Sequence, residues 1–254
     1  AYGVNDFALK IATVNGTGSA SANGLLLQAL FRMGIPVSGK NVFPSNIQGL
    51  PTWYEIRVSG DGYTSRTPAF DLFVVMNPAT YVRDVAEVGE GGYVLYDSSW
   101  PLPPAVRRYD VHFLGVPLGQ MCVETFAGSR ERVLMKNITY VGALAALLQI
   151  EVEVVEEILH ERFSRKKSVL DSNFRALHLG YDYASTHLPC PLPLRLEVAD
   201  VVRIRRRLHR HPLRHLEPVR FEARPLGRVV RDQPHLLDAD VHQDLHADAV
   251  VALV

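Results

Sequence analysis

Two glycines two residues apart, Gly16 and Gly18 in the run VNGTGSASANG, stand directly between an apolar stretch and a helical pattern. Residues 7–14 (FALKIATV) are short, apolar and partly β-branched, as a buried strand requires. Beyond the glycines, Ala22, Leu25, Leu26, Ala29, Leu30 and Met33 recur at helical spacing. The order is therefore strand, tight Gly loop, helix. That geometry aims backbone N–H groups and the positive end of a helix dipole at whatever sits over residues 16–21, which suits a phosphate. The plainer account also stands: glycines are needed to turn the chain sharply under a packed helix.

The same alternation continues for most of the chain. GIPVSGKNVFP and TWYEIRVS read as strands, the second with Trp53, Glu55, Arg57 and Ser59 on one face and Tyr54, Ile56 and Val58 on the other. DLFVVMNP, from Asp71, is a continuous apolar run of the kind buried in a parallel sheet, and Asn77-Pro78 starts a helix through about Val88. GGYVLYDSS and YDVHFLGVP repeat the theme. Three helices follow: LMKNITYVGALAALLQI, nearly apolar and so buried; EVEVVEEILHERF, with Val152, Val155, Ile158 and Leu159 on one side; and SVLDSNFRALHLGYDYA. The fold class is α/β, a three-layer α/β/α arrangement over residues 5–184 with a mostly parallel sheet and the Gly-rich loop after its first strand. In such sheets ligands collect at the carboxyl ends of strands, which places Asn15, Asn77, Asp97 and Ser98 along one rim.

Composition narrows the function. The net formal charge is zero, which favours neither nucleic acid nor an anionic membrane. No apolar stretch approaches the 18 or so residues of a spanning helix, and the N-terminus carries no secretory pattern, so the expectation is a soluble, cytoplasmic protein. Two cysteines, Cys122 and Cys190, supply fewer than the roughly four ligands of an iron–sulfur cluster or a structural zinc. Cys122 has no His or cationic neighbour close in sequence and reads as a packed thiol, and His160 and His178 read as surface or boundary residues.

From His187 the composition changes. Residues 187–254 contain no Ser, Thr, Asn, Lys, Tyr, Trp or Met, yet hold seven of the ten histidines and 11 arginines. Apolar residues there follow no steady period, so this irregular tail is not a second domain with its own core. A basic arm for nucleic acid is one reading of RIRRRLHRHPLRH, opposed by nine acids in the same tail. His242 and His246, four apart, are a possible ligand pair, but Gln243 breaks the His-Glu-x-x-His pattern. The favoured reading is a shifted frame of GC-rich coding sequence, and the tail receives no function.

Familiar motifs fail individually. The dinucleotide fingerprint wants Gly or Ala where Ser21 stands and an acid about 20 residues on, where Gly39-Lys40 stands. No Gly-Lys-Ser/Thr closes a phosphate loop, and GSASANG lacks the spacing of a nucleophile elbow. SGDGY, at 59–63, lacks the later asparagines of a thiamine-diphosphate motif and reads as a hairpin turn at Asp61-Gly62. No catalytic residue is assigned.

Three ordered blocks decide the matter: NGTGSASANGLLLQALFRMGIPV, KNVFPSNIQGLPTWYEIRVSGDGY and DLFVVMNPATYVRDV. With GGYVLYDSS and KNITYVGALAALLQI they resemble the gamma domain of 2-oxoacid:ferredoxin oxidoreductases, especially where it opens the alpha subunit of the 2-oxoglutarate type. The family's loop reads Gly-x-Gly-Gly-Gln-Gly, against Gly16-Thr17-Gly18-Ser19-Ala20-Ser21 here; its next block corresponds to Pro44-Ser45, Gly49 and Arg57-Val58-Ser59. The resemblance implies oxidative decarboxylation of a 2-oxoacid on thiamine diphosphate, electron transfer through a [4Fe-4S] cluster to ferredoxin, and capture of the acyl group on coenzyme A. Thiamine diphosphate, Mg2+ and the cluster are expected in a beta subunit and in the thiamine-pyrimidine domain that the tail replaces. For this portion the resemblance implies coenzyme A binding and subunit assembly: Gly16, Gly18 and Ser19 offer backbone donors, while Asn23, Gln48, Gly49, Arg57 and Asn77 complete the wall. The alternatives are a loop that is scaffold for subunit contacts, and a stand-alone nucleotide- or coenzyme A-binding or assembly module.

Overall fold

The computed structural model describes residues 3–42, 47–65 and 67–197. The apolar run at the start forms β1 (Asp6–Val14), and the helical pattern after the glycines forms α1 (Ser19–Arg32). There follow β2 (Val37–Val42), β3 (Pro51–Ser59), β4 (Phe70–Val75), a 3-10 turn at Pro78–Thr80, α2 (Tyr81–Ala86) and β5 (Val88–Asp97). A second 3-10 turn (Pro104–Val106) leads to β6 (His112–Val116), α3 (Leu118–Thr125), α4 (Ser129–Leu148), α5 (Val152–Phe163) and α6 (Lys167–His187).

The six strands form one mixed, mostly parallel sheet in the order β2-β3-β1-β4-β5-β6. β3 alone runs against its neighbours, with Val14 opposite Pro51 and Asp6 opposite Ser59. β1, β4, β5 and β6 are mutually parallel. The period-2 pattern of β3 holds: Tyr54, Ile56 and Val58 join Phe7, Leu9, Ile11, Leu72 and Val74 under the helices α1, α4, α5 and α6. The opposite face carries a thinner layer, in which Ala8, Ala12, Trp53, Phe73 and Val94 pack against Tyr81, Val85 and Val106. The sandwich is thus three-layered but lopsided.

Three local expectations change. Asp61-Gly62 does turn the chain, with the Gly62 N–H donating to the Ser59 carbonyl at 3.0 Å, but the next strand pairs with β1, so the turn closes no hairpin. The hairpin is instead β2–β3. The helix after Asn77-Pro78 ends at Ala86, because Val88 is already paired with Phe70 in the sheet. Residues 188–197, placed beyond the unit from sequence, continue its packing: Leu192 and Leu194 are buried, the Leu192 N–H donates to the Leu147 carbonyl, and Asn5 and Glu197 exchange hydrogen bonds of 2.6 and 3.0 Å. The rest of the anomalous tail, with His242 and His246, and the Pro44-Ser45 pair lie outside the described residues.

His160 and His178 are exposed, the latter 2.6 Å from Glu156 through Nε2 and Oε1. Cys122 is buried 3.6 Å from the Thr139 hydroxyl, and burial pushes its thiol above the usual cysteine range. Only a thiolate alkylates readily. Iodoacetamide mass spectrometry on the native protein is therefore expected to leave Cys122 unmodified until denaturant is added, and rapid native labelling of Cys122 would show that α3 opens.

Candidate functional site

The strand order places a topological switch between β1 and β4. From β1 the chain crosses the helix-rich face through α1, and from β4 it crosses the other face through α2. Loops leaving such a pair diverge and open a crevice at the carboxyl ends of the strands. Its edges here are the Gly loop after β1 and the Asn77 turn after β4.

The Gly loop is held from three sides. Gly16 and Gly18 have φ of 87° and 81°, a region that L side chains rarely adopt. A Cβ at Gly16 would lie 2.6 Å from Cγ of Gln48, and one at Gly18 would lie 2.6 Å from Cδ2 of Leu134 on α4. Asn137 donates from Nδ2 to the Thr17 carbonyl at 2.7 Å, and the Thr17 hydroxyl donates to the Val14 carbonyl at 2.7 Å. On the other side the Asn15 and Gly49 backbones bond reciprocally with the 47–50 loop: Asn15 N–H to Leu50 O at 2.9 Å and Gly49 N–H to Asn15 O at 3.0 Å. Gln48 and Gly49 therefore stand directly beside the Gly loop.

The first turn of α1 presents no acidic residue and receives no side-chain cap. Its exposed residues Ala20 and Ser21 leave this positive dipole end facing outward. The start of α3 is different: Asp97, buried at the end of β5, accepts from the Gly119 N–H at 3.1 Å and the Ser99 N–H at 3.1 Å, and the Ser99 hydroxyl oxygen accepts from Gln120 N–H at 2.8 Å. That helix end is neutralised by the protein's own carboxylate. Asn15, Asn77, Asp97 and Ser98 do stand on one rim, at the carboxyl ends of β1, β4 and β5.

Other candidates are placed elsewhere. Ser19 is buried and its hydroxyl oxygen accepts from Thr13 at 2.9 Å, so only its backbone faces the loop. Asn23 is buried beneath α4, where its Oδ1 accepts from the Tyr140 hydroxyl at 2.7 Å; burial pushes that phenol far above its usual range, so it remains a donor. Asn23 is thus a core hydrogen-bond partner and not part of a wall. Its spacing to Leu26, Leu27 and Leu30 was the signal for a core-facing position. Arg57 pairs in register with Ala8, six residues or about 20 Å along β1 from Val14. There it donates to Asp6 at 2.5 Å and lines, with Lys40, Glu55, Thr64 and Thr67, a cavity of 370 Å³ on the thin face. Asn77 stays at the crevice, but its Oδ1 accepts from the Ala79 N–H at 3.1 Å and starts the turn.

One cation at the rim was missed. Lys136 of α4 reaches Asp97 through Nζ and Oδ2 at 3.5 Å, its side chain a third exposed. Its sequence neighbour Asn137 holds Thr17, so α4 bridges the ends of β1 and β5 and sets Lys136 over the crevice. Within the nearly apolar run LMKNITYVGAL, this lysine was the one signal available. Among the described residues no three His, Cys, Asp or Glu side chains converge to hold a metal, and no helix is long and apolar enough to cross a membrane.

Comparison with known proteins gives the fold a lineage. The family described as pyruvate ferredoxin/flavodoxin oxidoreductase matches residues 8–183. Ketoisovalerate oxidoreductase subunit VorA of Methanothermobacter marburgensis is 25% identical over 183 residues, 71% of this chain and 37% of VorA. Indolepyruvate oxidoreductase subunit IorB of Archaeoglobus fulgidus is 23% identical over 200 residues, 71% of this chain and 96% of IorB. Among solved structures, 2-oxoglutarate:ferredoxin oxidoreductase from Magnetococcus marinus, with 2-oxoglutarate, coenzyme A and succinyl-CoA bound, superposes with a TM-score of 0.67 at 24% identity, over 77% of this chain and 33% of that one. The chain thus spans about a third of its longer relatives and nearly all of the shorter one.

Proposed function

The chain belongs to the pyruvate ferredoxin/flavodoxin oxidoreductase family, and we propose that it is the gamma-type portion, residues 5–184, of a 2-oxoacid:ferredoxin oxidoreductase of the 2-oxoglutarate kind. In this reading its carboxyl-rim crevice takes the phosphates of coenzyme A, as the Magnetococcus marinus enzyme carries coenzyme A and succinyl-CoA. The observation that carries the reading is the outward-facing, uncapped first turn of α1 at the switch point, between a rigidly held Gly loop and Lys136. Coenzyme A, when bound, supplies the thiol that receives the acyl group. The chain's own residues do the holding: backbone N–H groups of residues 18–21 donate to phosphate oxygens, Gln48 shields the loop from the side, and Lys136 adds a point charge.

The oxidative chemistry belongs to other parts of the enzyme. Cys122 and Cys190 sit against Thr139 and the Ala146 carbonyl respectively, and two thiols do not make the roughly four ligands of a [4Fe-4S] cluster. In this reading thiamine diphosphate, its Mg2+ and the cluster are assigned, as the resemblance to the family implies, to the beta subunit and the thiamine-pyrimidine domain, with ferredoxin as the electron acceptor of the holoenzyme.

A second reading, an assembly module without ligand contacts, draws on one observation: the space beside both glycines is filled by Gln48 and Leu134. Ala20→Asp separates the two. Ala20 is exposed in the first turn of α1, where an acid strengthens the helix by about 0.5 kcal/mol while repelling an anion. In the assembled oxidoreductase the expected result is a KM for coenzyme A raised about tenfold, worth about 1.4 kcal/mol, with kcat and thermal stability kept. An unchanged KM assigns the loop to scaffold.

A further inference from the structure

The 370 Å³ cavity on the thin face lies towards the amino end of β1, away from the Gly loop. Its floor is drawn from two rows across β2, β3 and β1: Lys40, Glu55 and Lys10 in one, Ser38, Arg57 and Ala8 in the next. The period of two turns both rows to the same face. Phe70 of β4 closes one side, and Thr64 and Thr67, between β3 and β4, close another. Lys40 is directly opposite Glu55, where cross-strand Cβ atoms lie about 4.5–5.5 Å apart, yet the two form no ion pair. Glu55 holds Lys10 instead, at 3.3 Å through Oε1. A carboxylate offers about four acceptor positions, so one bond from Lys10 does not exhaust it. Among the described residues the Lys40 ammonium and the Ser38 and Thr64 hydroxyls have no hydrogen-bond or ion-pair partner. The Arg57 guanidinium, by contrast, is spent on Asp6 at 2.5 Å and the Val58 carbonyl at 3.0 Å.

We infer that this cavity binds a free α-amino acid with an apolar side chain. The α-carboxylate meets the Lys40 ammonium and accepts from the Ser38 and Thr64 hydroxyls, the α-ammonium donates to Glu55, and the side chain lies against Ala8 and Phe70. The charges select this class of ligand. A simple anion placed between the two strands meets Lys40 but also the carboxylate of Glu55, and a simple cation meets Glu55 but also Lys40 and Lys10. A molecule with both charges on neighbouring atoms satisfies both walls at once, through hydrogen bonds that are charge-assisted at each end. The volume is at the small end of the roughly 300–1,000 Å³ of metabolite sites, as a single amino acid requires. This site is separate from the carboxyl-rim crevice: the Arg57 and Ala8 row stands six residues, or about 20 Å, along β1 from Val14. The inference therefore stands apart from the coenzyme A reading, and neither fails with the other.

The test is equilibrium dialysis of the full chain against radiolabelled L-leucine, with two competitors that keep its carbon skeleton and lose one charge each. These are 4-methylpentanoate, which lacks the ammonium, and 3-methylbutylamine, which lacks the carboxylate. Saturable binding of leucine with a Kd below about 1 mM is expected, and each competitor is expected to bind at least tenfold more weakly. Lys40→Gln removes the one unpaired cation of the cavity at an exposed position and is expected to raise the Kd for leucine at least tenfold while leaving the thermal midpoint in place. Lys167→Gln, an equal loss of charge at an exposed position on α6, is expected to leave the Kd unchanged. Absence of saturable leucine binding overturns the inference. So does 4-methylpentanoate competing as well as leucine, since the cavity would then take a plain carboxylate, or 3-methylbutylamine doing so, since Glu55 alone would then be the site. Wild-type affinity in Lys40→Gln, or equal weakening by Lys167→Gln, places the leucine elsewhere and overturns it too.

Discussion

Gly180→Ala is expected to lower the thermal midpoint by about 8–16 °C, and Gly180→Val to leave no cooperative transition. A Cβ at Gly180 on α6 would lie 1.8 Å from the Thr139 carbonyl oxygen and 2.9 Å from the Ala143 nitrogen of α4. The reverse contact is as tight, since a Cβ at Gly142 would lie 1.9 Å from the Leu177 carbonyl oxygen. Backbone atoms on both sides cannot rotate away as a side chain can, so the helices must part along their whole crossing. That crossing buries Tyr140, Val141, Leu144, Ala176, Leu177 and Ala184, and an interior packed like a crystal loses contacts on all of them together. A cost of about 4 kcal/mol is at the severe end for one substitution and is a large part of the 5–15 kcal/mol that holds a typical domain together. Gly24→Ala is the control, because no atom lies within 4 Å of the Cβ direction at Gly24 in α1, and it should gain up to about 1 kcal/mol from helix propensity. A midpoint for Gly180→Ala within a degree or two of wild type would show that the two helices do not meet this closely.

What the sequence made legible was what period and punctuation encode. β1, the Gly loop and α1 were readable because an apolar run, two glycines and a 3.6-residue pattern follow one another. β3 was readable as a strand with its two faces, but strand direction leaves no mark on a period of two, so its antiparallel course was invisible. α3 escaped because eight residues contain barely two turns of pattern and its start is fixed by Asp97 and Ser99, some twenty residues upstream. The site shows the same division. Gln48 and Gly49 stand next to the Gly loop, whereas Arg57, only nine positions after Gln48, is carried to the far edge by an extended strand. Lys136 is brought in by α4, more than a hundred residues after the loop it overlooks, and only the folded chain displays it. The family was legible through ordered blocks of residues, none of which is specific alone.

Lys10→Met is expected to destabilise the protein by about 3 kcal/mol, although methionine fits a strand well and approximates the volume of the lysine stem. Lys10 sits in the middle of β1, 3% exposed, on the thin face of the sheet. Its ammonium lies 3.3 Å from Oε1 of Glu55 and 2.5 Å from Oε2 of Glu87, with the rings of Phe70 and Phe73 at 5.0 and 5.6 Å. Burying a charge is tolerable while a counter-charge is close, and removing one member of such a group typically costs 3–5 kcal/mol because the other stays desolvated. The Glu55 side chain is 9% exposed, while Glu87, at 34%, can turn to water. One further measurement separates charge from packing. Lys10→Met with Glu55→Leu should recover most of the loss, since replacing a buried pair with apolar groups is often neutral. A deficit unrelieved by the second substitution would place the cost in packing against Phe70 and Phe73, and would make the lysine stem, not its charge, the element that holds β1 to the thin layer.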